Sequence, residues 1–333
     1  MNSLVTGGTG YIGSHTCVQL LDAGHKVVIL DNFCNSHSNV ISRIEKIAGK
    51  KVKLYVGDIR DKSVLERIFC ENQIDAVIHF AGLKSVSESV KSPLIYYDNN
   101  VMGAVALCLA MQKFNVRRLI FSSSATVYGT AAEAPYDESM PTGSVCNPYG
   151  RTKYFIEEIL KDIFAADPAW YITILRYFNP IGAHESALLG EEPCGIPNNI
   201  MPYISQVAAK KLPLLTVFGN DYNTPDGTCI RDYIHVVDLA KGHLKALEKM
   251  VHNNGGFNIY NLGTGKGYSV LELIRAFEKV SGQKINYKIG PRRAGDLPIV
   301  FACTKKAEKE LGFKAKFGIE KMCTDTWNWQ KNN

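Results

Sequence analysis

Apolar residues in the first half of the chain come in short unbroken runs, and amphipathic stretches separate them. Leu4-Val5-Thr6 leads into a glycine-rich turn, Gly7 to Gly13, and then into a helical pattern over residues 12–23 that Gly24 ends. Lys26-Val27-Val28-Ile29-Leu30-Asp31 is a continuous apolar run finishing on an acid. Residues 51–56, 75–80, 118–122 and 171–176 repeat the theme, while 100–114, rich in Ala, Leu and Met, and 149–164 predict helices. A strand that is apolar along its whole length is buried on both faces. Alternation of such strands with helices therefore predicts an α/β fold: a doubly wound parallel sheet covered on both sides. The rhythm fades after about residue 178. Residues 179–230 are rich in Pro, Gly and Asn, and only 236–250 and 270–280 read as helices. The predicted organisation is a first domain over 1–178 and a second, smaller α+β domain over 179–333, with segments of the second half free to return to the first.

The 333 residues fit a prior of roughly 150 residues per domain. A chain this long buries roughly three quarters of its unfolded surface without a metal or disulfide staple. With 46% hydrophobic and 21% charged residues it is neither disordered nor fibrous. The net charge of +6 is spread along the chain, so it points to neither nucleic acid nor a membrane surface, though it suits an anionic small substrate. Cysteines stand at 17, 34, 70, 108, 146, 194, 229, 303 and 323, an odd number with no C-x-x-C pair. That pattern predicts reduced thiols in a cytoplasmic protein rather than a disulfide framework or a metal site. The chain opens directly on a strand, with no basic region before an apolar core, so no signal peptide is expected. The longest charge-free apolar stretch, 101–112, falls short of the roughly 20 residues a membrane span needs.

Gly8-Thr9-Gly10-Tyr11-Ile12-Gly13 has the spacing G-x-G-x-x-G, after a strand and at the start of a helix. There the early glycines permit a tight turn and close approach to a pyrophosphate, the last permits close helix–strand packing, and the helix N-terminus offers N–H donors. Asp31 ends the second strand 18 residues after Gly13. A carboxylate at that place accepts ribose hydroxyls and repels a 2′-phosphate, which favours NAD over NADP and a Rossmann-type sheet. A structural turn beside a surface Asp is the plainer alternative, but it leaves the shared register unexplained. Asp58-Ile59 and Phe80-Ala81-Gly82 follow the third and fourth strands, at the sheet edge where ligands bind.

Tyr149 and Lys153 form a Y-x-x-x-K pair on one helix face. An ammonium beside a phenol favours phenolate, which predicts a Tyr149 pKa lowered toward neutral and a base for a sugar hydroxyl. Such pairs also arise by chance on solvated helices. Ser122-Ser123-Ser124, at the end of the fifth strand, lifts this one, because the Ser124 hydroxyl can bond the reacting oxygen and relay its proton.

The stretches VTGGTGYIGSHT, LDNFCNS, GDIRD, IHFAGLKSVSESV, YYDNN, FSSSATVYG, PYGRTK, LRYFNPIGAH, GIPNNIMPYI, VFGNDYNTPDGTCIRDYIHVVDLA, YNLGTG and RRAGDLP run from residue 5 to 298. Together they resemble the extended short-chain dehydrogenase/reductase superfamily and, within it, the UDP-galactose (UDP-glucose) 4-epimerase family. The resemblance implies transient oxidation at C4 of a UDP-hexose, rotation of the 4-keto sugar and return of hydride on its other face, with Tyr149, Lys153 and Ser124 catalytic. It implies tightly held NAD, contacted by Gly7, Gly10, Tyr11, Ile12 and Gly13 of the turn and by Asp31, Asn32, Asn35 and Ser36 beyond the second strand. Asp58, Ile59, Phe80, Ala81, Gly82, Lys84 and Asn99 would follow. Ser122, Tyr149, Lys153, Tyr177 and Phe178 would surround the nicotinamide.

On the substrate side the resemblance implies Arg231 and Arg293 on the diphosphate, where a guanidinium fork suits phosphate oxygens. Asn179 and Asn199 would bond diphosphate or sugar, Thr216 and Phe218 would contact uracil, Asp296 the ribose, and Ser124, Tyr149 and Tyr233 would complete the pocket. Val300 falls at a position that guards the sugar. A Tyr there disfavours N-acetylated sugars, so Val predicts that UDP-GlcNAc and UDP-GalNAc are accepted as well. Related dehydratases carry an acid just after the catalytic Ser/Thr, whereas Ala125 and Thr126 follow Ser124 here. The resemblance also implies a homodimer through the helices near 100–114 and 149–164. Two rivals remain: a dehydratase or reductase on the same fold, and a non-catalytic NAD-binding regulator.

Overall fold

The computed structural model describes residues 1–333 apart from 132, 194, 196, 198, 252, 254 and 294; Cys194 and part of the 195–204 motif therefore lie outside the described residues. The strands in chain order are β1 (Asn2–Thr6), β2 (Lys26–Asp31), β3 (Lys53–Val56), β4 (Ala76–His79), β5 (Arg118–Ser124), β6 (Tyr171–Tyr177), β7 (Asn179–Ile181), β8 (Leu215–Phe218), β9 (Ile230–His235), β10 (Gly256–Leu262), β11 (Gly267–Ser269), β12 (Tyr287–Gly290) and β13 (Ile299–Val300). Seven of them form one sheet in the order β10-β6-β5-β4-β1-β2-β3, every pair parallel. The order reverses between β1 and β4, which opens a crevice at their carboxyl ends.

The unbroken apolar runs have a direct cause. Leu4, Val28, Val77 and Leu119 point into one layer, where they meet Ile68, Leu107, Met111, Ile156 and Leu160 of three helices. Val5, Ile29, Ile78 and Ile120 point into the other, against Val18, Leu21, Leu239, Leu247 and Met250. Along the central strands both faces are covered, so both are largely apolar. The second half contributes to this body: the helix Val236–Val251 packs in the second layer and β10 extends the sheet beside β6.

The rest of the second half builds a smaller α+β unit. β7, β11 and β13 flank β9, β8 pairs with β12, and the helices Ile200–Ala208, Val270–Ser281 and Ile319–Asn332 cover them. Its core joins Ile204, Leu215, Val217, Phe277 and Met322. The segment 179–230, sparse in periodic runs, thus holds β7, a helix and β8, because elements this short carry too few repeats to register. The helix expected over 100–114 is longer. Pro93–Tyr96, a π-helical turn Tyr97–Met102 and Gly103–Lys113 are continuous, and their 21 residues are long and apolar enough to cross a membrane by length and composition alone. Ala104, Leu107 and Met111 on it are buried against the sheet. Cys17, Cys108, Cys229 and Cys323 are buried.

Candidate active site

The loop between β1 and the first helix is shaped by three close backbone approaches. Gly7 takes φ +71°, and a Cβ on it would stand 2.7 Å from the Ala81 amide nitrogen after β4. A Cβ on Gly13 would stand 2.2 Å from the Gly7 carbonyl oxygen. The Gly10 amide donates to Gly7 at 3.1 Å, and Gly10 begins the helix Tyr11–Asp22. Gly8 and Gly10 are also tight: a Cβ on Gly8 would stand 2.9 Å from the Ile29 side chain and 3.2 Å from the Val5 carbonyl oxygen, and one on Gly10 3.2 Å from the Gly7 carbonyl oxygen.

Asp31 closes the far side. Its carboxylate accepts from the amides of Thr9 and Phe33 at 3.0 Å each and from the Ser36 hydroxyl at 3.3 Å, and Ser36 also bonds Thr9. One buried acid thus ties the loop after β2 to the glycine turn. Asn32 donates to Asp58. Asp58 is gripped by the guanidinium of Arg60 through two 2.8 Å bonds, which holds its carboxyl down at about 2. Arg60 reaches on to Asp98.

These elements wall a cleft of about 660 Å³. Gly7, Gly10, Tyr11, Ile12, Gly13, Asp31, Asn32, Asn35, Ser36 and Ile59 line its first half, and Phe80, Ala81, Gly82, Lys84, Asn99, Ser122, Tyr149, Lys153 and Tyr177 its second. Asp58 and Phe178 are not in this wall. Phe178 packs instead in a small cluster with Ala125, Tyr128, Tyr136 and Ala302.

The reactive end rests on the helix Pro148–Ala166. Asn147 caps it by accepting from the Gly150 amide at 2.9 Å, with Pro148 in its first turn. Tyr149 and Lys153 emerge one turn apart beside the end of β5. The Lys153 ammonium donates to the Ser122 carbonyl at 2.6 Å and lies 4.8 Å from the centre of the Phe121 ring. Burial pushes it down to about 8, against an upward pull from Glu157. The Tyr149 phenol, expected to fall toward neutral, is instead raised. Burial penalises the phenolate, and the hydrogen bond to Ser124 offsets only part of that. Lys153 spends its bond on a backbone carbonyl rather than on the phenol. The Ser124 hydroxyl also accepts from the Thr126 amide and hydroxyl at 3.2 and 3.0 Å. The hydroxyls of Ser122 and Tyr177 are hydrogen-bonded to one another.

Three contributors were not among the expected site residues, although Asn100 closes the YYDNN stretch. Asn100, buried on the π-helical turn, bonds both backbone groups of Leu83 and the Thr152 hydroxyl, and so fixes the loop after β4 to the reactive helix. An Asn pair closing YYDNN and entering an apolar helix was its signal. Glu191 accepts from Lys84 at 2.9 Å and from Asn199 at 2.6 Å, across the cleft mouth. Glu157 stands behind Lys153, bonded to Ser123 and Arg176.

Outside the residues that line the cleft, Arg231 and Arg293 converge on one carboxylate. Asp296 accepts two bonds from Arg293, at 2.9 and 3.1 Å, and lies 3.7 Å from Arg231. The Arg293 guanidinium covers the exposed Phe218 ring at 5.1 Å, on the strand that also carries Thr216. Asn179 is paired in register with the buried Tyr233. Val300 is paired in register with Arg231 and packs against the cluster of Ala125 and Phe178.

Fold and site together define a member of the extended short-chain dehydrogenase/reductase superfamily. Residues 4–326 match the family described as GDP-mannose 4,6 dehydratase. The UDP-glucose 4-epimerase of Bacillus subtilis (strain 168) is 56% identical over 333 residues, 100% of this chain and 98% of that protein. The UDP-glucose 4-epimerase of Haemophilus influenzae is 57% identical over the same shares. The structure of UDP-glucose 4-epimerase from Bifidobacterium longum, in complex with NAD+ and UDP, superposes with a TM-score of 0.97 at 54% identity, covering 100% of this chain and 99% of that one. The chain belongs to the UDP-glucose 4-epimerase family.

Proposed function

We propose that this protein is an isomerase that interconverts UDP-galactose and UDP-glucose by epimerisation at C4 with resident NAD. The observation that carries the reading is the meeting of Tyr149, hydrogen-bonded to Ser124, with Lys153 in the wall of a cleft that also holds a glycine turn with no room for added side chains at Gly7 and Gly13. That cradle and the Asp31 carboxylate fit a dinucleotide: Gly7 to Gly13 would take the pyrophosphate, Asp31 the adenosine ribose, and Lys84, Asn99 and Tyr177 the nicotinamide half. Bound NAD supplies the acceptor and donor for hydride at C4. Tyr149 takes the C4 hydroxyl proton and later returns it, while Ser124 holds the reacting oxygen within reach. The Lys153 ammonium favours the anionic form of the phenol that forms as the proton moves.

Arg231 and Arg293 would exchange Asp296 for the diphosphate and leave that carboxylate to the ribose. Anchoring UDP there, with Asn179, Asn199, Thr216, Phe218 and Tyr233, leaves the hexose free to turn between half-reactions. Residues 1–178 would chiefly carry the cofactor and 179–333 the UDP-sugar. Elimination of water needs an added acid and base. Ala125 is buried and Thr126 is tied to Ser124, so neither gives the dehydratase rival its carboxyl. Val300 is smaller than the Tyr that disfavours N-acetylated sugars in the family, which supports turnover of UDP-GlcNAc and UDP-GalNAc too.

The working form is a cytoplasmic homodimer. Ile95, Met102 and Leu109 are exposed seven residues apart, and exposed Phe155 on the reactive helix stacks on Tyr97 beside them. An apolar face of this kind on two neighbouring helices suits a second copy.

Proton NMR of the purified protein with UDP-galactose, then with UDP-GalNAc and no added NAD, tests the reading. The 4-epimer is expected in both tubes. Product from UDP-galactose alone removes the wide pocket, and no product after NAD is added removes the epimerase.

A further inference from the structure

Glu157 is a carboxylate in an apolar layer. It is fully buried one helical turn beyond Lys153, between Ile156 and Leu160, and its partner Arg176 is 2% exposed. Its Oε1 accepts from the Ser123 hydroxyl at 2.5 Å and from Arg176 Nε at 3.1 Å. Its Oε2 accepts from Arg176 Nη2 at 2.6 Å. Ser123 and Arg176 are register partners across β5 and β6. Their chain neighbours include Ser122 and Tyr177, which line the cleft beside Tyr149 and Lys153, and Ser124, which is hydrogen-bonded to Tyr149.

Buried ion pairs are poor stabilisers. Two apolar side chains of the same volume are often as good or better. This one is also incompletely satisfied, since Arg176 Nη1 has no hydrogen-bond partner among the described residues. Stability is therefore a weak account of why a Glu and an Arg stand here. Geometry is a stronger one. We propose that Glu157 is a positioning residue, which clamps the ends of β5 and β6 to the helix of Tyr149 and Lys153 and so sets the distance between Ser124, Tyr149 and Lys153. This rests on the epimerase reading of the site.

The clamp also faces Lys153. The titratable groups around that ammonium are His79 on β4, Tyr177 on β6, and Tyr149 and Glu157 on its own helix, with the Arg176 guanidinium behind Glu157. Burial holds His79 at about 3, so it is neutral under working conditions. Glu157 is the group that raises Lys153, against its burial. Loss of the carboxylate charge would let Lys153 lose its proton at lower pH.

Two variants of the holoenzyme test the clamp with UDP-galactose, beside the wild type. Glu157→Gln keeps the shape and removes the charge. It should lower kcat roughly 100-fold, as a displacement near 1 Å at the reacting groups would, with KM nearly unchanged. The alkaline limb of its kcat profile should move down by about one pH unit. Glu157→Leu/Arg176→Met replaces the pair with apolar side chains. It should regain thermal stability while kcat stays low and the limb stays displaced. Recovery of kcat and limb together with stability in the double variant would overturn the proposal, as would a folded Glu157→Gln with wild-type kcat and profile. Either variant suffices if the other fails to fold. A wild type that does not epimerise removes the reading of the site and the clamp with it.

Discussion

Gly13→Ala separates the fit of the glycine turn from its helix propensity. Gly13 is helical, so alanine should gain about 1 kcal/mol there from propensity alone. The new Cβ, however, would lie 2.2 Å from the Gly7 carbonyl oxygen and 3.0 Å from Gly8 Cα, all backbone. Reaching ordinary van der Waals separation requires an opening of about 1 Å between the helix and the turn. Overpacking of that kind costs roughly 1–3 kcal/mol, so the net loss of stability should be only about 1 kcal/mol. The helix N-terminus moves away from the pyrophosphate, and a displacement near 1 Å should weaken NAD binding about 100-fold, close to 3 kcal/mol. NAD released by denaturation is counted per chain, and the apo protein is titrated with NAD by calorimetry. Gly24→Ala is the control: its φ is +84°, but nothing lies within 4 Å of the added Cβ. It should lose about 1 kcal/mol of stability and keep its NAD. A Gly13→Ala protein that carries a full equivalent of NAD at wild-type affinity would refute the reasoning.

Tyr149→Phe should lower kcat about 1,000-fold with NAD content unchanged, and retention of more than a tenth of the wild-type rate in the NMR assay removes Tyr149 as the base. Burial holds His15 and His79 at about 3 and His243 at about 4. Their folded values lie below the unfolded value, so the stability tied to their neutral forms is complete above about pH 6.5 and drains as pH falls toward 4, at up to about 4 kcal/mol per pH unit for the three. Urea midpoints from pH 7.5 to 5 should fall steeply, and a flat series contradicts this. Val300→Tyr should keep UDP-galactose turnover and lose UDP-GalNAc turnover; persistence of both places the guard elsewhere. Leu109→Glu should convert a dimer to a monomer in sedimentation velocity, and a wild type already monomeric at micromolar concentration rules out that face.

What was legible in the sequence is what contiguous residues decide. The strand–turn–helix of residues 2–22 and Asp31 read as a dinucleotide cradle because glycine spacing, strand end and helix start lie within one short stretch. Tyr149 and Lys153 read as a pair because helical periodicity alone puts them on one face. The parallel sheet was legible from apolar runs, since burial on both faces leaves no polar alternation. Pairings between distant segments were not. β10 joins β6 across some 80 residues, Glu191 bridges Lys84 and Asn199, Asp296 gathers Arg231 and Arg293, and Glu157 meets Ser123 and Arg176. The raised Tyr149 phenol belongs with these. Proximity of Lys153 in sequence predicted a lowered value, but packing buried the phenol and turned the ammonium to the Ser122 carbonyl. The chain by itself determined which groups are available and which local backbone they sit on. Only the docking of distant elements decided which charges meet and how far water is excluded, because desolvation and ion pairing depend on surroundings that no local stretch of sequence contains.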